Sequence, residues 1–173
     1  MLVARGLLEG TLQPSAEIAE MLNECALCGY CQARCAPNNL EIMEALRAAL
    51  VKAGFTAAAH RDQVHRIIDT GSLFDAPSPR KRAGTTPLFL GCLYRSRPVE
   101  TARIVSILER ASFDPLIADE VCCGYVVNAT GFTGDFETQR RRFEDSYGRW
   151  GDRAQGTNLG TEILTFAQPA RSP

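Results

Sequence analysis

Cys25-Ala-Leu-Cys28-Gly-Tyr-Cys31-Gln-Ala-Arg-Cys35 places four cysteines in the spacing C-x2-C-x2-C-x3-C. That spacing lets a short loop carry thiolates around one corner of an iron–sulfur cubane. Gly29 removes a side chain where the backbone must approach sulfide. Zinc sites prefer two separated pairs of ligands, whereas here four cysteines sit within eleven residues, so the run reads as a [4Fe–4S] site on Cys25, Cys28, Cys31 and Cys35.

Helical signals flank the run. Ser15 is a cap ahead of Ile18, Met21 and Leu22, with Glu17 in the first turn where the helix dipole favours an anion. After Cys35, Asn39 reads as the cap of a second helix with Ile42, Met43, Ala45, Leu46, Ala49 and Leu50 at helical spacing. Lys52 and Gly54 are its stop signals. A third helix is predicted over 56–69, with Val64, Ile67 and Ile68 facing inward. Residues 1–74 thus read as one small α-helical module of helix, cysteine loop and helix.

Residues 75–87 hold three prolines, a glycine and the basic run Arg80-Lys81-Arg82, and read as a solvated linker. Beyond it the pattern changes. The apolar runs at 88–90 and 116–118, with 162–166, are predicted strands. A helix opening at Pro98 and carrying Glu100, Ile104, Val105, Leu108 and Arg110, and another over 135–150, would lie between them. Strand and helix in alternation imply a parallel sheet with right-handed crossovers over 88–173. Chemistry in such sheets collects at the carboxyl ends of strands, where Cys92 and the Cys122–Cys123 pair fall. The three thiols admit several readings: a second iron–sulfur cluster, a zinc site, a vicinal disulfide or burial as small hydrophobes.

The bulk numbers bound the class. The chain has 173 residues, which suits one medium or two small domains, and its 45% hydrophobic content is ordinary for a globular core. A net charge of −1 gives no electrostatic reason for a nucleic-acid partner. Seven cysteines, an odd number, exclude a complete disulfide framework and fit a reducing, cytoplasmic setting. Residues 1–10 contain Arg5 and Glu9 and read as neither a signal peptide nor a membrane span, so any membrane association would be peripheral, through a partner. His60 and His65 do not share a helical face, and Arg140-Arg141-Arg142 reads as a solvated one. Phosphate-loop and dinucleotide-binding patterns are absent from the sequence.

Gly91-Cys92-Leu93 followed by Cys122-Cys123-Gly124 resembles the CCG, or cysteine-rich, domain of heterodisulfide reductase subunits of the D type. The same domain occurs in the iron–sulfur subunits of glycolate oxidase, lactate-utilisation and anaerobic glycerol-3-phosphate dehydrogenase complexes. Leu7-Leu8-Glu9-Gly10, the cysteine run and Ala45-Leu46-Arg47 are similar to the ferredoxin-type motif that precedes it. The resemblance implies an iron–sulfur electron-transfer subunit of an oxidoreductase complex. Its partners would be a flavoprotein or hydrogenase-type subunit, and metal would also lie at Cys92, Cys122 and Cys123. Three departures stand out: a single ferredoxin-type run, Ala36 between Cys35 and Pro37, and no cysteine after Cys123. The chain therefore reads as a shortened member, and the sequence assigns no catalytic residue. The alternatives are a degenerate iron–sulfur or zinc-binding scaffold without redox chemistry of its own and, more weakly, a thiol–disulfide enzyme using Cys122–Cys123.

Overall fold

The computed structural model describes residues 2–34, 38–75 and 80–151, with side chains to residue 146. The element order is α1 (Leu2–Leu8), α2 (Ala16–Asn23), α3 (Tyr30–Arg34), α4 (Asn39–Lys52), α5 (Ala58–Thr70), β1 (Thr86–Pro87), α6 (Gly91–Arg95), α7 (Pro98–Arg110), β2 (Pro115–Leu116), α8 (Tyr125–Ala129) and α9 (Thr133–Gly151). This is a mixed α/β fold, mostly helical, with a two-stranded parallel sheet. Two units divide it: Met1–Leu73 with Cys122–Arg140, and Phe74–Val121 with Arg141–Pro173. Among the described residues no helix is long and apolar enough to cross a membrane.

In the first unit, Ser15 caps α2 as its side chain suggests, accepting the Ile18 N–H at 3.3 Å. The same hydroxyl holds the Glu17 carboxyl below its usual range. Helix α4 begins one position earlier than expected: Asn38, not Asn39, is the cap, and its Oδ1 accepts the Glu41 N–H at 3.5 Å. Ala19, Leu22 and Leu50 are buried together, with Ile18, Met43, Leu46 and Phe55 packed against them. Burying one such leucine contributes about 1.5–3 kcal/mol. Val64 and Ile67 of α5 are fully buried, while Ile68 is half-buried. Helix α4 also approaches the loop at Gly131 closely. A Cβ there would lie 2.5 Å from the carbonyl carbon of Arg47, and the backbone sits at φ +93, so glycine is required twice over.

The second unit corrects several expectations. Residues 88–90 are not a strand. The parallel ladder starts two residues earlier, pairing Thr86 with Pro115 and Pro87 with Leu116. Each strand contains a proline, which removes a ladder donor and keeps the pairing short. The donors that remain are the Thr86 N–H to Asp114 O at 2.8 Å and the Leu88 N–H to Leu116 O at 2.9 Å. The backbone N–H of Leu90 then turns away to a carboxylate, and Gly91–Arg95 becomes a helix. Cys92 therefore lies in a short helix and not at a strand end. The expected strand at 162–166 lies outside the described residues.

Of the stretch read as a linker, residues 80–87 are described and make specific contacts. Arg82 and Ile117 exchange both backbone hydrogen bonds, at 2.9 and 3.0 Å. The Arg82 guanidinium pairs with Glu109 and, at 3.2 Å, with Asp114, while Lys81 pairs with Asp119. Basic residues placed between acidic α7 and β2 termini hold the segment down. The Phe89 and Phe143 rings meet edge to face at 5.6 Å.

His60, at the start of α5, is half-buried, and its Nδ1 has no hydrogen-bond partner among the described residues. Burial, then the charge of Arg47, holds its pKa below the ordinary 6.5. Folding therefore favours neutral imidazole. Below that pH the unfolded chain binds a proton that the folded chain resists, so stability is full above 6.5 and falls as pH drops below it. Denaturant unfolding at pH 7.5 and pH 5.5 is expected to show a loss of stability that is reduced in His60→Gln. An identical pH dependence in that variant would contradict the assignment.

Candidate functional site

The cysteine loop leaves the C-terminus of α2. The Cys25 N–H reaches back to Leu22 O at 3.4 Å, and the chain then passes through Leu27 at φ 51 and Gly29 at φ 76. A leucine in left-handed backbone is uncommon and costs on the order of 1 kcal/mol, so neighbouring structure must hold it there. Helix α3 follows, with Cys31 as its second residue. It is tied to α4 by the Leu40 N–H donating to Gln32 Oε1 at 3.3 Å. Arg34 lies over the Tyr30 ring, 5.5 Å from its centroid.

Cys25 is half-buried, Cys28 and Cys31 are exposed, and none is in a disulfide. Cys35 lies outside the described residues. Among the described residues no three cysteine, histidine or carboxylate side chains stand as a ready-made metal-binding group. The loop backbone carries a different signal. The N–H groups of residues 26–31 find no acceptor among the described residues. Six successive open donors around three thiols suit an anionic cluster, whose sulfurs accept backbone N–H bonds. By the chemistry of its donors the run suits a [4Fe–4S] group, with Cys25, Cys28 and Cys31 as thiolates and Cys35 as the fourth by sequence, although the three described thiols are not gathered into one group.

Arg47 locks this loop from behind. It lies on the apolar face of α4, four residues after Met43 and three before Leu50, and is only 5% exposed. Its Nη2 donates to Leu22 O at 2.7 Å and Cys25 O at 2.5 Å, its Nε to Leu22 O at 3.2 Å, and its Nη1 to Ala129 O at 2.6 Å. Those carbonyls lie at or just beyond the C-terminal ends of α2 and α8, where helix dipoles favour a cation. Burial nevertheless pulls its pKa below the usual arginine range. Sequence reading placed Arg47 only inside the ferredoxin-type motif. The available signal was a guanidinium on an apolar helix face.

The Cys122–Cys123–Gly124 turn belongs to the same unit. The Cys122 N–H donates to Gly71 O, at the end of α5, at 2.7 Å. Cys122 O accepts from Nε2 of Gln139 at 2.5 Å, and Gln139 is 1% exposed. Gly124, at φ 81, turns the chain into α8 and donates its N–H to Cys122 Sγ at 3.5 Å. The Cys122 thiol hydrogen-bonds the Cys123 sulfur. That contact, joined by the N–H groups of Tyr125 and Cys123, lowers the Cys123 pKa to about 6 against the opposing effect of burial. Cys92 lies in the second unit, and there the Glu120 carboxylate holds its helix. Glu120 is 7% exposed and accepts the Leu90 N–H at 2.8 Å and the Gly91 N–H at 2.9 Å, while Arg95 donates to Glu120 O at 2.8 Å. Gln139 and Glu120 were not singled out by the sequence. The acidic pair Asp119-Glu120 between Ile117 and Val121 was the only hint of the latter.

Comparison with family models, curated proteins and solved structures finds no match for this chain.

In the metal-free protein Cys123 is expected to be mainly thiolate at neutral pH. Its alkylation by iodoacetamide, followed by peptide mass spectrometry, should rise through a midpoint near pH 6. Cys122→Ala removes the main donor and should move the midpoint upward. A midpoint in the ordinary thiol range for the parent protein would contradict this.

Proposed function

We propose that this chain is an iron–sulfur electron-transfer subunit of an oxidoreductase complex, similar to the CCG-domain subunits of heterodisulfide reductases. In this reading residues 1–74 form a ferredoxin-type module and residues 88–173 a shortened CCG domain. The observation that carries it is the loop at 25–31, where three free thiols share a left-handed turn with six backbone N–H groups that find no acceptor among the described residues. A bound cubane would supply one-electron transfer there. The chain's own residues supply the thiolates, the N–H dipoles and the fixed exit from α2. The exposure of Cys28 and Cys31 suits exchange of electrons with a partner subunit at short range. Cys122 and Cys123, on their braced turn, are the residues through which the resemblance to disulfide chemistry would act.

Purified without oxygen, the protein is expected to contain iron and acid-labile sulfide in cubane proportion and to give a paramagnetic signal after dithionite reduction. Cys28→Ser should abolish both. Cys35→Ser should do the same if Cys35 closes the single cubane, and should leave cluster content nearly unchanged if it does not. Stoichiometric zinc without acid-labile sulfide would overturn the electron-transfer reading in favour of a zinc-binding scaffold.

A further inference from the structure

We infer that Arg47 raises the reduction potential of a cluster held at Cys25, Cys28 and Cys31 by fixing a buried positive charge behind their loop, an inference that rests on the iron–sulfur reading above. Three features of Arg47 carry it. Its guanidinium is bonded directly to the Cys25 carbonyl, so the charge is tied to the ligand loop itself. All four of its hydrogen bonds end on backbone carbonyls, and no carboxylate is among those partners. It is 5% exposed, so neither water nor salt screens it as they would a surface charge. Guanidinium remains cationic across the range in which proteins work.

Reduction adds one electron, taken in a titration from dithionite, which is oxidised to sulfite; no proton moves and no bond to the thiolates breaks. The reduced site carries one more negative charge than the oxidised site. A fixed cation stabilises the more negative form, and charge and hydrogen bonding around the sulfurs are the means by which proteins tune such potentials. Arg47 is thus a positioning residue with an electrostatic role, distinct from the thiolate ligands.

The test is a potentiometric titration of reconstituted full-length protein followed by electron paramagnetic resonance, for the parent chain, Arg47→Lys and Arg47→Gln. Arg47→Gln is expected to lower the ratio of reduced to oxidised cluster at the parent midpoint on the order of tenfold, about 59 mV for a one-electron couple. Arg47→Lys keeps the charge and should stay close to the parent. Full cluster content in Arg47→Gln with an unchanged midpoint overturns the inference and leaves the iron–sulfur reading standing. A Lys variant displaced as far as the Gln variant also overturns it, because loop geometry and not charge would then be the cause. A parent chain that holds no cluster overturns the iron–sulfur reading, and this inference with it. If circular dichroism shows Arg47→Gln unfolded, citrulline placed at position 47 by semisynthesis keeps the shape and most N–H donors of the side chain without its charge; its midpoint should fall as expected for Arg47→Gln, and an unchanged midpoint with full cluster content overturns the inference.

Discussion

The first unit is organised around one buried guanidinium. A charge taken from water costs several kcal/mol unless its donors find partners, and Arg47 makes four hydrogen bonds to carbonyls from α2, the cysteine loop and α8. Each bond of this charge-assisted kind contributes about 1.5–3 kcal/mol. Three segments that share no strand or disulfide are therefore held to one side chain. The close approach at Gly131 follows from the same requirement, because α4 must lie against the end of α8 for Nη1 to reach Ala129 O.

Helices were legible because their signals are local. Ser15, Pro98 and the apolar spacing of α4 and α5 are read within one or two turns, and the structure agrees to within a few residues. The sheet was legible only as a type. Its parallel pairing followed from the alternation of elements, but its position depended on where the Leu90 N–H finds an acceptor, and that acceptor is Glu120, thirty residues away. No periodicity encodes such a choice. The contacts of 80–87 were not legible for the same reason, since Lys81 and Arg82 pair with acids at 109, 114 and 119. The cysteine run was visible from spacing alone, whereas the residues that brace the two cysteine turns, Arg47 and Gln139, act through carbonyls that carry no sequence label.

The two cysteine turns of the first unit are built differently. The loop at 25–31 exposes its thiols and leaves its N–H donors open, a surface arranged to wrap something anionic. The turn at Cys122–Cys123 is closed, with its backbone bound at both N–H and carbonyl and one sulfur buried. Its donors point at its own sulfur atoms and stabilise a thiolate without help from outside. One turn is arranged for a ligand to complete, and the other is complete in itself.

The interval between Arg47 and Ala129 also bears on biosynthesis. The carbonyl that receives Nη1 lies 82 positions further along the chain. At a ribosomal rate of about 5–20 residues per second, on the order of 4–16 s separate the appearance of the guanidinium from that of its last partner. Until then the N-terminal helices emerge with an unfinished core and thiols open to oxidation or to metal. The longer segment of the second unit, Phe74–Val121, is synthesised within that gap. Translation speed over this stretch is thus a determinant of how long the guanidinium waits, in the nascent protein, for the carbonyl that completes its set.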